Sequence, residues 1–230
     1  MAAVKLLETA GCEVGVPASQ TCCGQPAYNS GDKATTMAIA KATIAAFEPY
    51  DYVVAPSGSC AGMLKKHYPA LLVRDAEFAA RAAKLAGRTF ELISFLTDVR
   101  GMTAVEARFD GSVTYHDSCS GLRELGIKDQ PRRLLSSVKG LTLKEMEDSE
   151  TCCGFGGTFA LKYSDVSNAI VEKKAANIED ARADLLLAGD LGCLMNMVGK
   201  LKRSERTTPA RNVAEVLAQH MTASPIGEKQ

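Results

Sequence analysis

The chain has 230 residues, of which 46% are hydrophobic, and its 27 lysines and arginines balance its 27 aspartates and glutamates. A net charge of zero gives no basic surface of the kind that nucleic-acid binding requires, so we expect no nucleic acid among its partners. No apolar run approaches the roughly 18 residues of a membrane span, and Met1–Leu7 is too short and too mixed for a signal peptide. We therefore expect a cytoplasmic protein with no transmembrane segment.

The predicted elements alternate between helices and short strands. In chain order, the pattern predicts helices near residues 1–10, 37–47, 78–86, 90–99, 131–138 and 159–178, and strands near residues 13–16, 52–55, 112–116, 141–146 and 185–188. Strands that alternate with helices favour parallel sheets. The prediction is therefore an α/β protein made of two tandem, pseudo-repeated units, each a small parallel sheet flanked by helices.

An internal repeat supports the division into two units. The sequence TCCG at Thr21–Gly24 recurs at Thr151–Gly154, an offset of 130 residues, and Cys60 recurs as Cys193 at an offset of 133 residues. Matches at several points with a nearly constant offset indicate duplication of one unit. We place the first unit at residues 1–105 and the second at residues 106–230.

The two units differ at their beginnings. The second unit opens with a strand and Cys119, which precedes Cys152 by 33 residues. The matching position in the first unit would fall before residue 1, so we expect the first unit to lack its opening strand and its first cysteine. Cys12 would align near Thr142, inside a strand, and we expect it to be a packing residue.

The remaining cysteines come a few residues after predicted strands end, namely Cys22, Cys23, Cys60, Cys119, Cys152, Cys153 and Cys193. Ligands bind at that edge of parallel sheets, and thiolates from separate loops bind soft metals. Structural disulfides are not expected, because the chain carries no export signal. The sequence thus predicts a cysteine-lined metal site.

Three kinds of chemistry remain open for these cysteines. Zinc sites usually use Cys-x-x-Cys pairs, which the chain lacks, whereas adjacent thiolates can bind different irons of a multi-iron cluster. Gly24 and Gly154 favour the cluster, because glycine lets backbone N–H groups approach its sulfurs. A neighbouring cysteine pair can also close into an easily reduced disulfide. His116 would either hydrogen-bond to the cofactor or cap the loop before Cys119.

These motifs resemble the cysteine-rich CCG domain family, which includes a subunit of heterodisulfide reductase and the iron–sulfur subunit of glycolate oxidase. The matching segments are TCCGQPAYNSG at 21–31, PSGSC at 56–60, HDSC at 116–119, CCGFGGTF at 152–159 and GCLMN at 192–196. Two tandem copies without a ferredoxin-like domain look most like the lactate-utilization members of the family. That resemblance implies a role with two sibling proteins in oxidising L-lactate to pyruvate.

The resemblance also implies ligand sets. The second unit keeps four cysteines, Cys119, Cys152, Cys153 and Cys193, the usual number for a [4Fe–4S] cluster. The first unit keeps Cys22, Cys23 and Cys60, the remains of a second site. Met63 and Asn196 stand where heterodisulfide reductase has the second cysteine of Cys-x-x-Cys. We therefore expect an electron-transfer subunit that is not catalytic alone; the alternatives are a disulfide reductase and a zinc-bound or metal-free scaffold.

Overall fold

The computed structural model describes residues 1–228, which form α-helices, three π-helical turns and six strands. The helices are α1 (Ala2–Thr9), α2 (Gln25–Ser30), α3 (Lys33–Phe47), α4 (Gly58–Gly62), α5 (Tyr68–Leu72), α6 (Ala79–Gly87), α7 (Leu92–Ser94), α8 (Asp129–Leu135), α9 (Phe159–Lys162), α10 (Ser164–Asp180), α11 (Leu191–Arg203) and α12 (Val213–Leu217). The π-helical turns are Met63–His67, Phe95–Val99 and Ser120–Glu124. The strands are β1 (Val53–Ala55), β2 (Thr89–Glu91), β3 (Arg108–His116), β4 (Lys139–Leu143), β5 (Leu185–Ala188) and β6 (Ala210–Asn212).

The strands form two sheets in which every pair is parallel. β1 pairs with β2, and the second sheet has the order β4-β3-β5-β6. All four residues of β5 are buried, as expected for a strand with neighbours on both sides and helices on both faces. These two helix-flanked parallel sheets confirm the predicted fold class.

The repeat extends further than the cysteine motifs. In each sheet one strand, β1 or β5, leads directly into the helix that carries Cys60 or Cys193. In each sheet a three-residue partner strand, β2 or β6, ends in a residue that caps the next helix. Glu91 accepts hydrogen bonds from N–H groups of α7, and Asn212 accepts one from the N–H group of Ala214 in α12. A polar side chain at this position satisfies backbone donors that a helix start would leave unpaired.

Three apolar clusters stabilise the molecule. One lies in the first unit around α3, α5 and α6, and another lies between the second sheet and α10 and α11. The third joins the units, because Leu6 and Leu7 of α1 pack with residues of β3, β5 and α12. Cys12 packs against this third cluster, in line with the packing role predicted for it.

The strand predicted near Glu13–Val16 is wrong, because this segment is an irregular loop. Val14 is only partly buried and Val16 is 69% exposed, so no apolar face drives pairing with a sheet. Strands β2 and β6 were not predicted, because neither contains an apolar run. No helix within residues 1–228 is both long and apolar enough to cross a membrane.

Candidate metal centre

The two Cys-Cys-Gly loops adopt the same local conformation. Gly24 and Gly154 have φ angles of 79° and 81°, a region that strongly favours glycine. Each turns its N–H back toward the first cysteine of its pair, with nitrogen–sulfur distances of 3.4 Å to Cys22 and 3.3 Å to Cys152. The repeated sequence therefore builds a repeated device that offers a hydrogen bond to a thiolate.

The second loop meets two further thiols of its unit. The side chain of Cys119 interacts with that of Cys152, and Cys153 interacts with both Cys152 and Cys193. Cys119 follows β3, Cys193 lies in the first turn of α11, and the loop follows β4, so three strand ends of one sheet supply the four thiols. The structure thus brings together the four cysteines that the sequence assigns to one site.

The electrostatics of this group favour a bound cation. Hydrogen bonding from Cys119 and then Cys153 lowers the pKa of Cys152, while its bond with Cys152 raises the pKa of Cys119. Hydrogen bonding to Cys152 and Cys193 likewise raises the pKa of Cys153. Adjacent thiolates repel one another, so all four ionise together only when a positive ion joins them. This donor set fits a soft metal or an iron–sulfur cluster.

His116 completes the buried side of the site. It ends β3 with no exposed surface, and its ring lies within 4.8 Å of the sulfurs of Cys153 and Cys193. Burial lowers the pKa of His116 to about 4, so the ring is neutral at pH 7. Neither ring nitrogen has a hydrogen-bond partner among the described residues. A buried neutral imidazole without a partner, facing two thiols, fits a group that accepts its N–H or binds its lone pair.

Asp117, next along the chain, serves a different purpose. Its carboxylate is 2% exposed and receives two hydrogen bonds from Arg132, at 2.8 and 2.9 Å. Arg132 also binds Glu145, beyond the end of β4. The network ties the segment before Cys119 to the segment that leads toward Cys152, so Asp117 supports the loop and does not face the thiols.

A buried lysine holds the other side of the second loop. Lys174 of α10 has no exposed surface, and its ammonium donates to the carbonyl oxygens of Asp148 and Ser149, just before Cys152. Burial lowers the pKa of Lys174 to about 8, yet the group still favours the charged form at pH 7. It is therefore a cation placed beside a cluster of thiols.

The first unit gathers three thiols in a more open setting. The sulfurs of Cys23 and Cys60 are 3.3 Å apart, and Cys22 interacts with Cys23. Their mutual hydrogen bond raises the pKa of Cys23 and lowers that of Cys60. Cys22 is exposed, whereas in the second unit Cys153 and Cys193 are 2% and 6% exposed.

The carbonyl of the second cysteine is fixed in both loops. The Tyr68 hydroxyl donates to the Cys23 carbonyl at 2.9 Å, and the Asn196 amide donates to the Cys153 carbonyl at 2.8 Å. Both donors lie in the helical segment that contains the last cysteine of their unit, Cys60 or Cys193. Asn196, which replaces a cysteine of the heterodisulfide reductase motif, thus orients the loop.

A cleft of about 580 Å³ lies beside both loops. Gln25, Tyr28 and Asn29 line one side, and Gly156, Phe159 and Lys162 line the other. His67 and Glu124 bridge the units across it at 3.3 Å. Residues that directly follow both Cys-Cys-Gly loops therefore line one open cleft.

Comparison with known proteins agrees with this architecture. The family model described as "Cysteine-rich domain" (CCG) matches residues 1–65 and 113–198. The chain belongs to this cysteine-rich domain family. The two matched segments contain all seven cysteines of the two thiol groups.

Three relatives show which members of the family this chain is similar to. Lactate utilization protein A of Oceanobacillus iheyensis is 45% identical over 94% of this chain and 88% of its own length. The proteins of the same name from Geobacillus sp. and Macrococcus caseolyticus are each 48% identical, over 94% and 97% of this chain and 90% and 91% of their own lengths. The lactate-utilization resemblance read from the motifs is therefore confirmed at the level of the family.

Several residues of the site were not predicted. Lys174, Tyr68 and Arg132 carry no motif. Neither does Asp190, whose carboxylate accepts hydrogen bonds from the Gly192 and Cys193 N–H groups, although an acidic residue just before a helix is a typical N-cap. The sequence located the thiols and His116, but it did not indicate which polar side chains fold inward to hold them.

Proposed function

We propose that the chain is the iron–sulfur electron-transfer subunit of an L-lactate-oxidising complex. In this proposal Cys119, Cys152, Cys153 and Cys193 hold a [4Fe–4S] cluster, and Gly154 and His116 contact it. Cys22, Cys23, Cys60 and Gly24 form a second, more exposed thiol site. Residues 1–105 and 106–230 are the corresponding units. The observation that carries the proposal is the convergence of four thiols, two of which lie beside a buried histidine without a hydrogen-bond partner among the described residues.

The residues of the chain have distinct tasks in this proposal. The four thiolates bind the cluster, which, when present, takes up and passes on single electrons. The Gly154 N–H already points to the Cys152 sulfur, and the His116 ring would donate to a sulfur of the bound cluster; both interactions would stabilise the more negative, reduced state. Lys174 adds a nearby positive charge with the same effect. The packed side of the site excludes water, while the cleft leaves its outer side open to a redox partner.

The lactate role is supported by the relatives, which are named lactate utilization protein A. Conversion of lactate to pyruvate releases two electrons and two protons, which an iron–sulfur subunit cannot accept without a primary acceptor. We therefore assign the oxidation itself to sibling subunits in the cytoplasm, with this chain as the acceptor of their electrons. The chain alone is not expected to oxidise lactate.

A zinc site is the second candidate, because His116, Cys153 and Cys193 offer ligand atoms within 4.8 Å of one another. One nitrogen and two sulfurs are a common zinc donor set. The two candidates differ in colour, in acid-labile sulfide and in redox activity.

The test is metal and sulfide analysis of the full chain after anaerobic purification, with EPR before and after reduction. We expect about four irons and about four sulfides per cluster, and a signal that appears on reduction. Lactate should then produce the same signal when the sibling subunits are added, but not without them. Zinc without sulfide, or no metal after anaerobic reconstitution, would contradict the iron–sulfur assignment. A loaded cluster that lactate never reduces would contradict the lactate role alone.

A further inference from the structure

One carboxylate joins the two thiol sites. Asp190 follows β5 and is 3% exposed. Its Oδ1 accepts hydrogen bonds from the N–H groups of Gly192 and Cys193, at 3.1 and 3.3 Å, and so begins α11. Its Oδ2 accepts from the Ser59 N–H and the Ser57 hydroxyl, both at 2.9 Å, in the segment that carries Cys60. A single side chain of the second unit therefore holds the cysteine-bearing helices of both units.

The Cys60 segment has further contacts with the second unit. The Gly58 N–H points to the Gly189 carbonyl at 3.4 Å. A Cβ on Gly58 would lie 3.0 Å from the Gly121 nitrogen and 3.1 Å from Ser118 Oγ, on either side of Cys119. The segment is thus packed tightly against the surroundings of both Cys119 and Cys193. Small displacements of one site are transmitted to the other through these contacts.

We propose that Asp190 is a positioning residue that fixes Cys60 relative to Cys193 and thereby couples the first thiol site to the second. The coupling is a property of the polypeptide itself. Its consequence for electron transfer, that both sites keep a fixed geometry, rests on the proposed iron–sulfur function.

The chemistry of the bridge requires a carboxylate. Both oxygens of Asp190 face backbone donors, so each must accept. An asparagine side chain has only one acceptor oxygen. Its amide nitrogen can still donate to Ser57 Oγ, which is able to accept. It cannot replace the oxygen that faces Gly192 and Cys193, because both of those partners are N–H donors. In the Asp190→Asn chain we therefore expect the single amide oxygen to stay on Gly192 and Cys193, and the Ser59 N–H to lose its acceptor.

The experiment measures alkylation of individual cysteines in the full chain, reduced and stripped of metal. Trypsin places Cys60 alone in the peptide Ala42–Lys65 and Cys193 alone in Ala183–Lys200, so mass spectrometry reports each rate separately. For Asp190→Asn we expect the Cys60 rate to rise about tenfold, because the partly buried Ser59 N–H loses its acceptor and its segment is destabilised, while the Cys193 rate stays within about twofold. Asp190→Ala should raise both rates.

The matched control is Asn212→Ala, which removes the cap of α12 at the end of the neighbouring strand, where the Asn212 side chain accepts from the Ala214 N–H and makes no hydrogen bond to Asp190 or to the Cys60 segment. It should leave both rates unchanged. An Asp190→Asn chain whose Cys60 rate equals that of the parent would overturn the proposal. Equal rises at Cys60 and Cys193, or the same rises in Asn212→Ala, would also overturn it, because they indicate general loosening.

A second readout uses the anaerobically reconstituted chain. Asp190→Asn should retain the parent's iron at the second site, while any EPR signal that depends on Cys60 shifts or broadens. If the parent itself holds no iron, the proposed function fails, but the alkylation rates still test the coupling by Asp190. The two failures are therefore distinguishable.

Discussion

The two Cys-Cys-Gly regions have the same backbone and different surroundings. In each, a glycine with φ near 80° directs its N–H to the first thiol, and a donor from a later helical segment holds the second carbonyl. Around the first loop the thiols are half-buried or exposed. Around the second, two thiols and a histidine are buried. Within residues 1–228 the buried acidic, basic and histidine side chains are Glu91, His116, Asp117, Lys174, Asp190 and Arg211. Only Glu91 belongs to the first unit.

The comparison shows that the loop motif and the residues around it determine different properties of a site. The short motif determines the local geometry of the loop, which is why both copies look alike. Whether that loop becomes a closed site depends on the polar groups that the fold buries beside it. Four of these six side chains lie in or beside the second thiol group, namely His116, Asp117, Lys174 and Asp190. Buried charges are costly unless they have partners, so their concentration there distinguishes the second site from the first.

Lys174 offers the strongest way to break the second site alone. Lys174→Met removes the two hydrogen bonds that the buried ammonium donates to the Asp148 and Ser149 carbonyl oxygens, which retain only their backbone donors Thr151 and Asp117. Because hydrogen bonds from a charged group are among the stronger ones, we expect the free energy of unfolding to fall by about 3 kcal/mol. Urea denaturation measures the change. Its neighbour Lys173 is the matched control, because it is 64% exposed and only pairs with Asp148 at the surface. Lys173→Met should cost less than about 1 kcal/mol, and equal losses would contradict the role of Lys174.

Glu91 tests the buried carboxyl of the first unit. Burial raises its pKa from 4.5 to about 7, so the folded chain holds a proton that the unfolded chain releases. The resulting stability is fully present below about pH 4.5 and is lost as the pH rises through 7, a loss of about 3 kcal/mol. Glu91→Gln keeps the acceptor for Ile93 and Ser94 but does not titrate.

The stability of Glu91→Gln relative to the parent should therefore increase by about 3 kcal/mol between about pH 5 and pH 8. Denaturation curves at several pH values measure this difference, in which the other titrating groups cancel. The exposed Glu8 gives the control, and Glu8→Gln should show no such trend. A difference that stays constant with pH would show that Glu91 ionises normally in the folded chain.

The two loop glycines provide a direct comparison of packing. An added Cβ at Gly154 would lie 2.7 Å from the Ser167 carbonyl oxygen, whereas at Gly24 it would lie 3.2 Å from the flexible Ile39 side chain. Both substitutions also strain a positive φ. We expect Gly154→Ala to lower the free energy of unfolding by about 2–3 kcal/mol and Gly24→Ala by about 1 kcal/mol. The reverse order would mean that the second loop is the looser one.

The smallest expected effects concern the carbonyl contacts. Tyr68→Phe and Asn196→Ala each remove one hydrogen bond to the second cysteine of a pair. Each should cost about 1 kcal/mol in unfolding free energy. Thermal or urea unfolding would detect this, with Tyr163→Phe as an exposed control. A negligible cost at either position would mean that water replaces that bond.

Sequence reasoning recovered much of the architecture. The cysteines, the glycines and the buried strands β1, β3 and β5 were all visible, because they combine a strong residue type with a short-range pattern. Strands β2 and β6 were missed, since unlike the equally short β1 neither of them contains an apolar run. The strand expected at Glu13–Val16 did not form, because its valines find no partner surface.

The supporting residues of the site were harder to predict. Lys174 lies on a helix whose pattern suggests an exposed lysine, and it is buried only because the loop before Cys152 folds over it. Asp190 has two sets of partners, and the second set comes from the other unit, more than 130 residues away in sequence. Such long-range pairing is a property of the tertiary structure and leaves no local pattern.

The most direct test of the central claim compares matched cysteines, one from each unit. Cys193→Ser and Cys60→Ser chains are purified anaerobically beside the parent, and iron and acid-labile sulfide are measured per chain. The account predicts that Cys193→Ser loses about four irons relative to the parent, whereas Cys60→Ser keeps the cluster of the second unit. Loss of that cluster in Cys60→Ser with retention in Cys193→Ser would contradict the assignment of a complete site to the second unit.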